Sequence, residues 1–485
     1  QVGGTANELI LTMVEGLEGK YQITIPDSLI GVENFRARVI AVDNMENISS
    51  SEYKTVGVKF INGEMTMAHG NSSYPEGIDE GGWRLISWPG VPQDLSLAKS
   101  KLKEGHIFYQ YNPLSEEYII PGIIEIGSAY WFKHKYDEPV VFEEDTSSSL
   151  PLENYKISLK QGWNMIGSPF SFSVPFEKDS TVGDLFTFGN QDKDGWSSSQ
   201  NTLEPWRGYA VYANDTAKIT LLPFGEIENS AKRIIASDEW VLNLRLDSES
   251  YFNYSTTVGR KNHASNTLDS YDTPRLIDLN NNLSIVTNLD GLKTNSYIRD
   301  IRSTEDFNGV WDLRIESESD ENMILFSGLF EGPTSKDLHV SIVDIQKRAI
   351  EYDFPGSSIE IQHKTSLSYD FKLVAGDLDY VIQKSENILE NIPEEYALSQ
   401  NYPNPFNPIT KMNYQLPKRS RVIISIYNVV GQEVRTLLNE DQDYGVHSIT
   451  WNGVDQYGKA MATGVYFARM STGSFSQTKK MLLLK

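Results

Sequence analysis

Cysteine is absent from all 485 residues. That excludes disulfides, thiolate metal sites and thiol catalysis, so burial and hydrogen bonding alone must hold the fold. Long apolar runs are absent too; no stretch of eighteen apolar residues reads as a membrane-spanning helix. Positive charge is scarce. The 43 Lys+Arg face 66 Asp+Glu, a net charge of −23, which argues against nucleic acid as a partner and for a well-solvated surface. Histidine is sparse: His69, His106, His134, His263, His339, His363 and His447 lie far apart, and none is four residues from another. There is no Gly-x-Ser-x-Gly elbow, no His-Glu-x-x-His pair, no phosphate loop and no dinucleotide fingerprint. Carboxylates are plentiful, but without geometry no pair takes acid and base roles. The chain is not expected to be an enzyme.

Aromatics, by contrast, are abundant, with 9 Trp, 25 Tyr and 20 Phe. Each can bury on the order of 150–250 Å², enough for several small cores. Single cores stop growing near ~250 residues, so a chain of this length divides into domains. Short alternating apolar segments separated by Gly, Pro, Asn and Asp read as strands and turns throughout. The expected fold is all-β, a series of β-sandwich modules, immunoglobulin-like and jelly-roll-like. The expected boundaries are 1–62, 63–147, 148–229, 230–390 and 391–485.

In 1–62, the strand Phe35-Arg-Ala-Arg-Val-Ile-Ala-Val-Asp43 and the polar turn after it resemble the late strands of an immunoglobulin-like or fibronectin-III-like domain. The domain is short of at least one strand. Because the chain opens at Gln1-Val-Gly-Gly4 inside a β pattern, further residues are expected upstream. Residues 63–229 hold an internal repeat. Gly82-Trp-Arg-Leu-Ile-Ser-Trp-Pro89 aligns without a gap on Gly162-Trp-Asn-Met-Ile-Gly-Ser-Pro169, 80 residues on. The aromatic strands Ala129-Tyr-Trp-Phe132 and Gly208-Tyr-Ala-Val-Tyr212 follow at matching distances. Each unit is expected to carry a short helical piece, at 95–103 and 182–188. The hairpin of the second unit is compressed around 192–200.

Three features here suggest binding. Trp196 and Trp206 lie near turns and are candidate platforms for stacking the apolar face of a sugar, with core packing as the alternative. Asn190, Asp192 and Asp194 alternate before Gly195, as oxygen ligands do in a calcium loop. The twelfth position is Asn201 rather than a bidentate Glu, and Asp-Gly reads equally well as a hairpin turn. Calcium is thus the one cofactor considered. The third feature is the polar stretch 253–274, with Asp269 and Asp272, expected to be a long loop able to hold a cation or a partner. Around it, 230–390 is expected to form the larger, jelly-roll-like sandwich.

The final ninety or so residues open with Leu398-Ser-Gln-Asn-Tyr-Pro-Asn-Pro-Phe-Asn-Pro408. Three prolines remove three backbone donors and fix φ, so this segment is neither helix nor central strand. Short strands and turns follow and read as a sandwich. With Ile426-Tyr-Asn-Val-Val-Gly431, Trp451-Asn-Gly453, Gly464-Val-Tyr466 and the terminal Lys479-Lys-Met-Leu-Leu-Leu-Lys485, residues 391–485 closely resemble the C-terminal sorting domain of type IX secretion cargo of Bacteroidetes and related bacteria. They also resemble the immunoglobulin-like part of flagellar hook-capping proteins. The resemblance implies export across the outer membrane, a secreted or cell-surface location, and the type IX secretion machinery as partner. It points to Gly464, Tyr466, Lys479 and Lys480 as residues tied to recognition by that machinery. Short Asp-Ser/Thr-apolar triplets at Asp27, Asp179 and Asp215 resemble O-glycosylation sites of the same bacteria. The expected function is a non-catalytic structural, adhesive or glycan-binding element, with glycan or like subunits as further partners. The alternative is the accessory tail of an exported hydrolase such as a peptidase, whose catalytic domain would precede residue 1.

Overall fold

The computed structural model describes residues 13–15, 21–23, 35–56, 59–67, 73–74, 76–80, 82–92, 105–148, 150–189, 193–199, 201–224, 239–275, 283–288, 296–318, 322–362, 367–473 and 475–484. The fold is all-β, built of β-sandwich modules, with one helix among the described residues. It divides into two compact units. The first holds Gln1–Thr304, Ser317–Pro333 and Ile359–Ser366; the second holds Glu305–Glu316, Thr334–Ser358 and Leu367–Lys485.

In the first unit the two aromatic repeats fold alike. Repeat one orders its strands Glu117–Ile119, Ile107–Asn112, Ala129–Lys133, Arg84–Ser87; repeat two orders them Asp194–Ser199, Val182–Phe188, Gly208–Ala213, Gly162–Gly167. The expected helical piece at Val182–Phe188 is therefore a strand. Its residues pair with two neighbours, and Val182, Leu185, Phe186 and Phe188 are all buried. Tertiary pairing overrides a local pattern too short to choose its own period. The other expected helical piece, 95–103, lies outside the described residues.

The repeats pack on each other reciprocally. Ile86 bridges Arg207, and the equivalent Ile166 bridges Ser128. Ser87 N donates to Trp206 O at 3.1 Å, and Gly167 N donates to Gly127 O at 3.0 Å. Tyr130 Oη accepts from Glu125 N and Tyr209 Oη from Glu204 N, at 2.6 and 2.9 Å. Gly127 and Trp206 both take the left-handed conformation, with φ of 84° and 65°. This is the pattern of an isologous contact, the same patch used by both partners, within one chain. Equivalent residues must then meet at the centre. A Cβ on Gly167 would lie 2.0 Å from Cβ of Ser87, its counterpart, and a Cβ on Gly208 would lie 2.7 Å from that of Ala129, its counterpart. Two side chains cannot share either spot, so one member of each pair is glycine.

Beyond the repeats, the strand Tyr251–Lys261 is central. It runs parallel to Asp194–Ser199 and to Tyr297–Ser303, and antiparallel to Trp240–Asp247. Met323–Phe330 and then Ile359–Gln362 continue the sheet from Trp240–Asp247. Residues 253–274 are thus not one long loop: 253–261 is strand, 262–272 turns, and Thr273–Pro274 pairs with Tyr297–Ser303. Within that turn Asp272 is buried. Its oxygens accept from Asp269 N at 3.0 Å and Ile301 N at 3.1 Å. Asp300 is fully buried and held bidentately by Arg302, both contacts at 3.0 Å. Burial pushes Asp272 up to about 7 against these backbone bonds, and the charges of Asp300 and Asp269 add to the rise.

The second unit joins a sheet, a helix and a sandwich. The sheet orders Gly309–Ser317, Leu367–Gly376, His339–Asp344 and Ala349–Glu351. The helix Leu378–Glu390 starts at Asp377, whose side chain accepts from Tyr380 N, and carries Asp379 in its first turn, where the dipole favours it. Val381 packs with Val343, Ile345, Val374 and Ile392, and the Ser385 and Ser341 hydroxyls bond at 2.8 Å. Leu378, Val381, Ile382, Ser385, Ile388 and Leu389 carry the period of this helix in the sequence. The C-terminal sandwich faces a sheet of Ala397–Leu398, Thr410–Leu416 and Gly445–Trp451 against one of Glu433–Gln442, Ser420–Tyr427, Gly464–Thr472 and Phe475–Leu483. Met412, Tyr414, Val422, Ile424, Ile426, Trp451, Tyr466, Met470 and Met481 fill it. Arg314 ties sheet to sandwich: Nε meets Asp370 at 2.8 Å and Nη2 meets Asp443 at 3.0 Å, while Arg419 also reaches Asp443. Asp370 is pushed up by burial, which Arg314 opposes.

Two outcomes follow from the first unit. Gly167→Ala should cost about 1–3 kcal/mol by overpacking, read as a lower midpoint in denaturant. The exchange Ser87→Gly with Gly167→Ser should recover most of that loss, because only one Cβ then occupies the contact. For Asp272, the folded chain holds the proton more tightly than the unfolded chain, where it titrates near 3.8. Its contribution is complete below the unfolded value and is lost as the pH rises to about 7. Stability should fall with a slope approaching about 1.4 kcal/mol per pH unit across that window, and Asp272→Asn should flatten it in pH-dependent urea unfolding.

Candidate functional site

The residues singled out in the C-terminal sandwich fall on its last two strands. Gly464–Thr472 pairs with Phe475–Leu483 so that Gly464 faces Leu483, Tyr466 faces Met481, Phe467 faces Lys480 and Ala468 faces Lys479. Tyr466 is a core residue. Its ring meets Trp451 at 5.1 Å and its hydroxyl donates to Ala462 O at 2.8 Å, while burial raises its pKa. Trp451 in turn donates from Nε1 to Val454 O. Strand alternation separates the two lysines. Lys479 lies on the face of Met481 and Leu483 and is half-buried; Lys480 lies on the opposite face and is exposed. The strand therefore does not gather Lys479 and Lys480 into one cationic spot.

The Asn/Pro segment proves to be part of the same site. Leu398 N donates to Gln477 Oε1 at 2.6 Å. Gln400 Nε2 and Asn404 Nδ2 both donate to Lys480 O, at 2.7 and 3.3 Å. Leu482 N donates to Asn404 Oδ1 at 2.9 Å. Phe406 N donates to Leu482 O, and Leu484 N to Phe406 O. The segment thus lies along the outer edge of the final strand and takes up its hydrogen-bonding groups, partly with amide side chains and partly with backbone. Asn401 is buried and braces the turn, donating to Pro403 O and to Thr410 Oγ1. Two motifs some eighty residues apart in sequence close one sheet edge. The prolines mark the segment as non-strand, yet no periodicity marks Gln400 or Asn404 as edge partners.

The binding candidates of the first unit fare differently. Trp196 is 6% exposed and packs edge-on against Trp131 and Phe188. Trp206 is 2% exposed and packs against Trp88 and Phe142. Neither ring presents a face to solvent, so the stacking role is corrected to core packing. The positions near turns were misleading, because those turns are where the repeats meet. Beside Trp163, Phe186 and Trp196 lies a cavity of about 20 Å³, also lined by Asn253, Ser255 and Arg275. That is room for about one water, not for a sugar ring. Asn190 and Asp192 of the calcium proposal lie outside the described residues. Asp194 is paired with Arg84, so its carboxylate already faces a cation. Among the described residues no group of three or more His, Cys, Asp or Glu could hold a metal ion. Asp179 uses its carboxylate on Lys218 N; Asp27 lies outside the described residues.

Removing both side-chain clamps, by Gln400→Ala with Asn404→Ala, should leave the sandwich folded while freeing its last strand. Each lost bond is worth about 0.5–1.5 kcal/mol. Amide exchange at Leu482 and Leu484 should accelerate, with Tyr466 and Met470 unchanged; unaltered protection at Leu482 would contradict the clamp.

No helix among the described residues is long and apolar enough to cross a membrane. No curated protein matches the chain. Among solved structures, dimeric latent PorU from Porphyromonas gingivalis is similar at 11% identity and a TM-score of 0.17, over 69% of this chain and 32% of that one. This chain spans about a third of that protein's length. Residues 409–474 match the FlgD Ig-like domain family, and the C-terminal sandwich is immunoglobulin-like.

Proposed function

We propose that this multi-domain β protein is a secreted or cell-surface structural element, exported through its C-terminal sandwich by a type IX secretion system. The observation that carries the reading is the clamp between the Asn/Pro segment and the final strand. The two motifs that resemble the sorting domain most closely are one physical element, at one edge of an immunoglobulin-like sandwich. A recognition signal benefits from such rigidity, because a preorganised surface loses less entropy on docking. Within it, exposed Lys480 is the residue offered to the machinery. Tyr466 acts from the core by holding the strand pair, and Gly464 opens the strand opposite Leu483. The acidic body upstream is the cargo. Its modules bury their aromatics against each other, which supports a scaffolding role over glycan capture.

The test is export from a bacterium carrying the type IX system. The full chain should reach the surface or medium, and a chain lacking residues 391–485 should stay within the cell although folded. Lys480→Ala should reduce export with no change in thermal midpoint. Normal export of the truncated chain would overturn the assignment.

A further inference from the structure

The two repeats are built alike, but their outer edges are not treated alike. In repeat two the edge strand Asp194–Ser199 is covered. Tyr251–Lys261 lies parallel to it, with Trp196 opposite Asn253 and Ser197 opposite Tyr254. The approach is close enough that a Cβ on Gly195 would lie 1.8 Å from Phe252 O. Repeat one has the equivalent strand, Glu117–Ile119. Tyr118 takes the place of Trp196, since Tyr111 faces Tyr118 as Phe188 faces Trp196. Among the described residues no strand covers this edge. Ile119, Ile120, Ile123 and Leu114 are exposed around it, Ile120 and Leu114 by 80% and 81%. A bare apolar edge of this kind is a template for strand addition.

The same unit carries a second uncovered element. Among the described residues Ile40–Val42 and Ile48–Ser50 pair only with each other. The turn between them is fixed, because Asp43 accepts from Met45 N, Asn47 N and Asn47 Nδ2 at 2.7–2.9 Å. The strands themselves are bare: Val42 is 61% exposed, Ile48 73% and Met45 84%. A lone two-stranded hairpin is marginal in water. Both elements are exposed at once in the same chain, so they do not satisfy each other within it.

We propose that the hairpin of one copy adds to the Glu117–Ile119 edge of a second copy, with Ile40–Val42 parallel to Glu117–Ile119. Parallel addition is what covers the equivalent edge in repeat two. It also sets Arg38, at the base of the hairpin, beside Glu116 and Glu117, and carries Asp43 away from them. The opposite direction would bring Asp43 and Glu46 against the same glutamates. The contact is heterologous, using two different patches, so it propagates head to tail instead of closing as a dimer. It specifies the like subunit as partner and rests on the structural reading above. Self-association is measured on purified chain and export on cells, so either can fail alone.

Sedimentation of the full chain over about a hundredfold range of concentration tests it. The average mass should climb with concentration. Ile119→Lys with Ile120→Lys should weaken association at least about tenfold, as should Val42→Lys with Ile48→Lys. An equimolar mixture of the two variants should stop at a one-to-one dimer, because one retains the hairpin and the other the edge. Should either lysine variant misfold, charge reversal gives an independent arm: Glu117→Lys should weaken association and Arg38→Glu added to it should restore it. A wild-type chain that stays monomeric throughout, association that survives in the edge variant, or a mixture that does not dimerise would each overturn the proposal.

Discussion

Every sheet that does not close on itself ends in two strands whose outer N–H and C=O groups need partners. In an all-β chain without cysteine that requirement shapes most of the architecture. Two solutions appear. In the first unit, a strand from the following segment lies parallel to the edge of repeat two, and glycine at position 195 allows the approach. In the second unit, an irregular segment rich in Asn and Pro lies along the last strand and answers its groups with two amide side chains and the backbone N–H and C=O of Phe406. Among the described residues the edge of repeat one and the hairpin 39–51 have neither, and their apolar side chains stand in solvent. The contrast between duplicated edges, one covered and one bare, is what gives the bare edge meaning.

The reciprocal packing of the repeats imposes a second constraint. Where a motif meets its own copy, equivalent positions approach each other and cannot both carry side chains. Ser87 against Gly167 and Ala129 against Gly208 are the outcome. The aromatics follow from the same geometry. Trp88 and Trp206 belong to one cluster, and Trp131, Trp163 and Trp196 to another, each drawing on both repeats. Neither repeat could bury these rings by itself. A tryptophan count that looks like a binding signature in a linear reading is here the cement of a duplicated fold. Trp206 shows how firmly, since its non-glycine left-handed backbone carries a buried ring packed against Trp88 and Phe142.

Buried charge is used sparingly and in pairs. Asp300 with Arg302, Asp194 with Arg84, and Arg314 with Asp370 and Asp443 each set a guanidinium against carboxylate, the geometry that best offsets desolvation. Asp272 is held differently. Its partners are backbone amides, and two further aspartates stand nearby. It consequently titrates in the neutral range, in a turn that sequence reading marked for its acidic residues but could not identify as buried.

The amino-acid sequence alone determined the all-β class, the duplication of the aromatic unit, the non-strand character of the Asn/Pro segment and the immunoglobulin-like strands after it. Each is a local property, carried by period, by proline and glycine chemistry, or by one segment compared with another. The helix Leu378–Glu390 is equally local, its apolar period lying between strong strand signals. The tertiary structure decided the rest. It turned Val182–Phe188 from helix to strand, drew Trp196 and Trp206 inward, and set Lys479 and Lys480 on opposite faces. It also brought Gln400 and Asn404 to the final strand, and divided residues 230–390 between two compact units. Apart from the alternation that parts Lys479 from Lys480, these outcomes depend on which segments meet across the chain, from neighbouring strands to motifs far apart in sequence. Contacts at that range are made by shape and hydrogen-bonding need, and no local pattern in the chain encodes them.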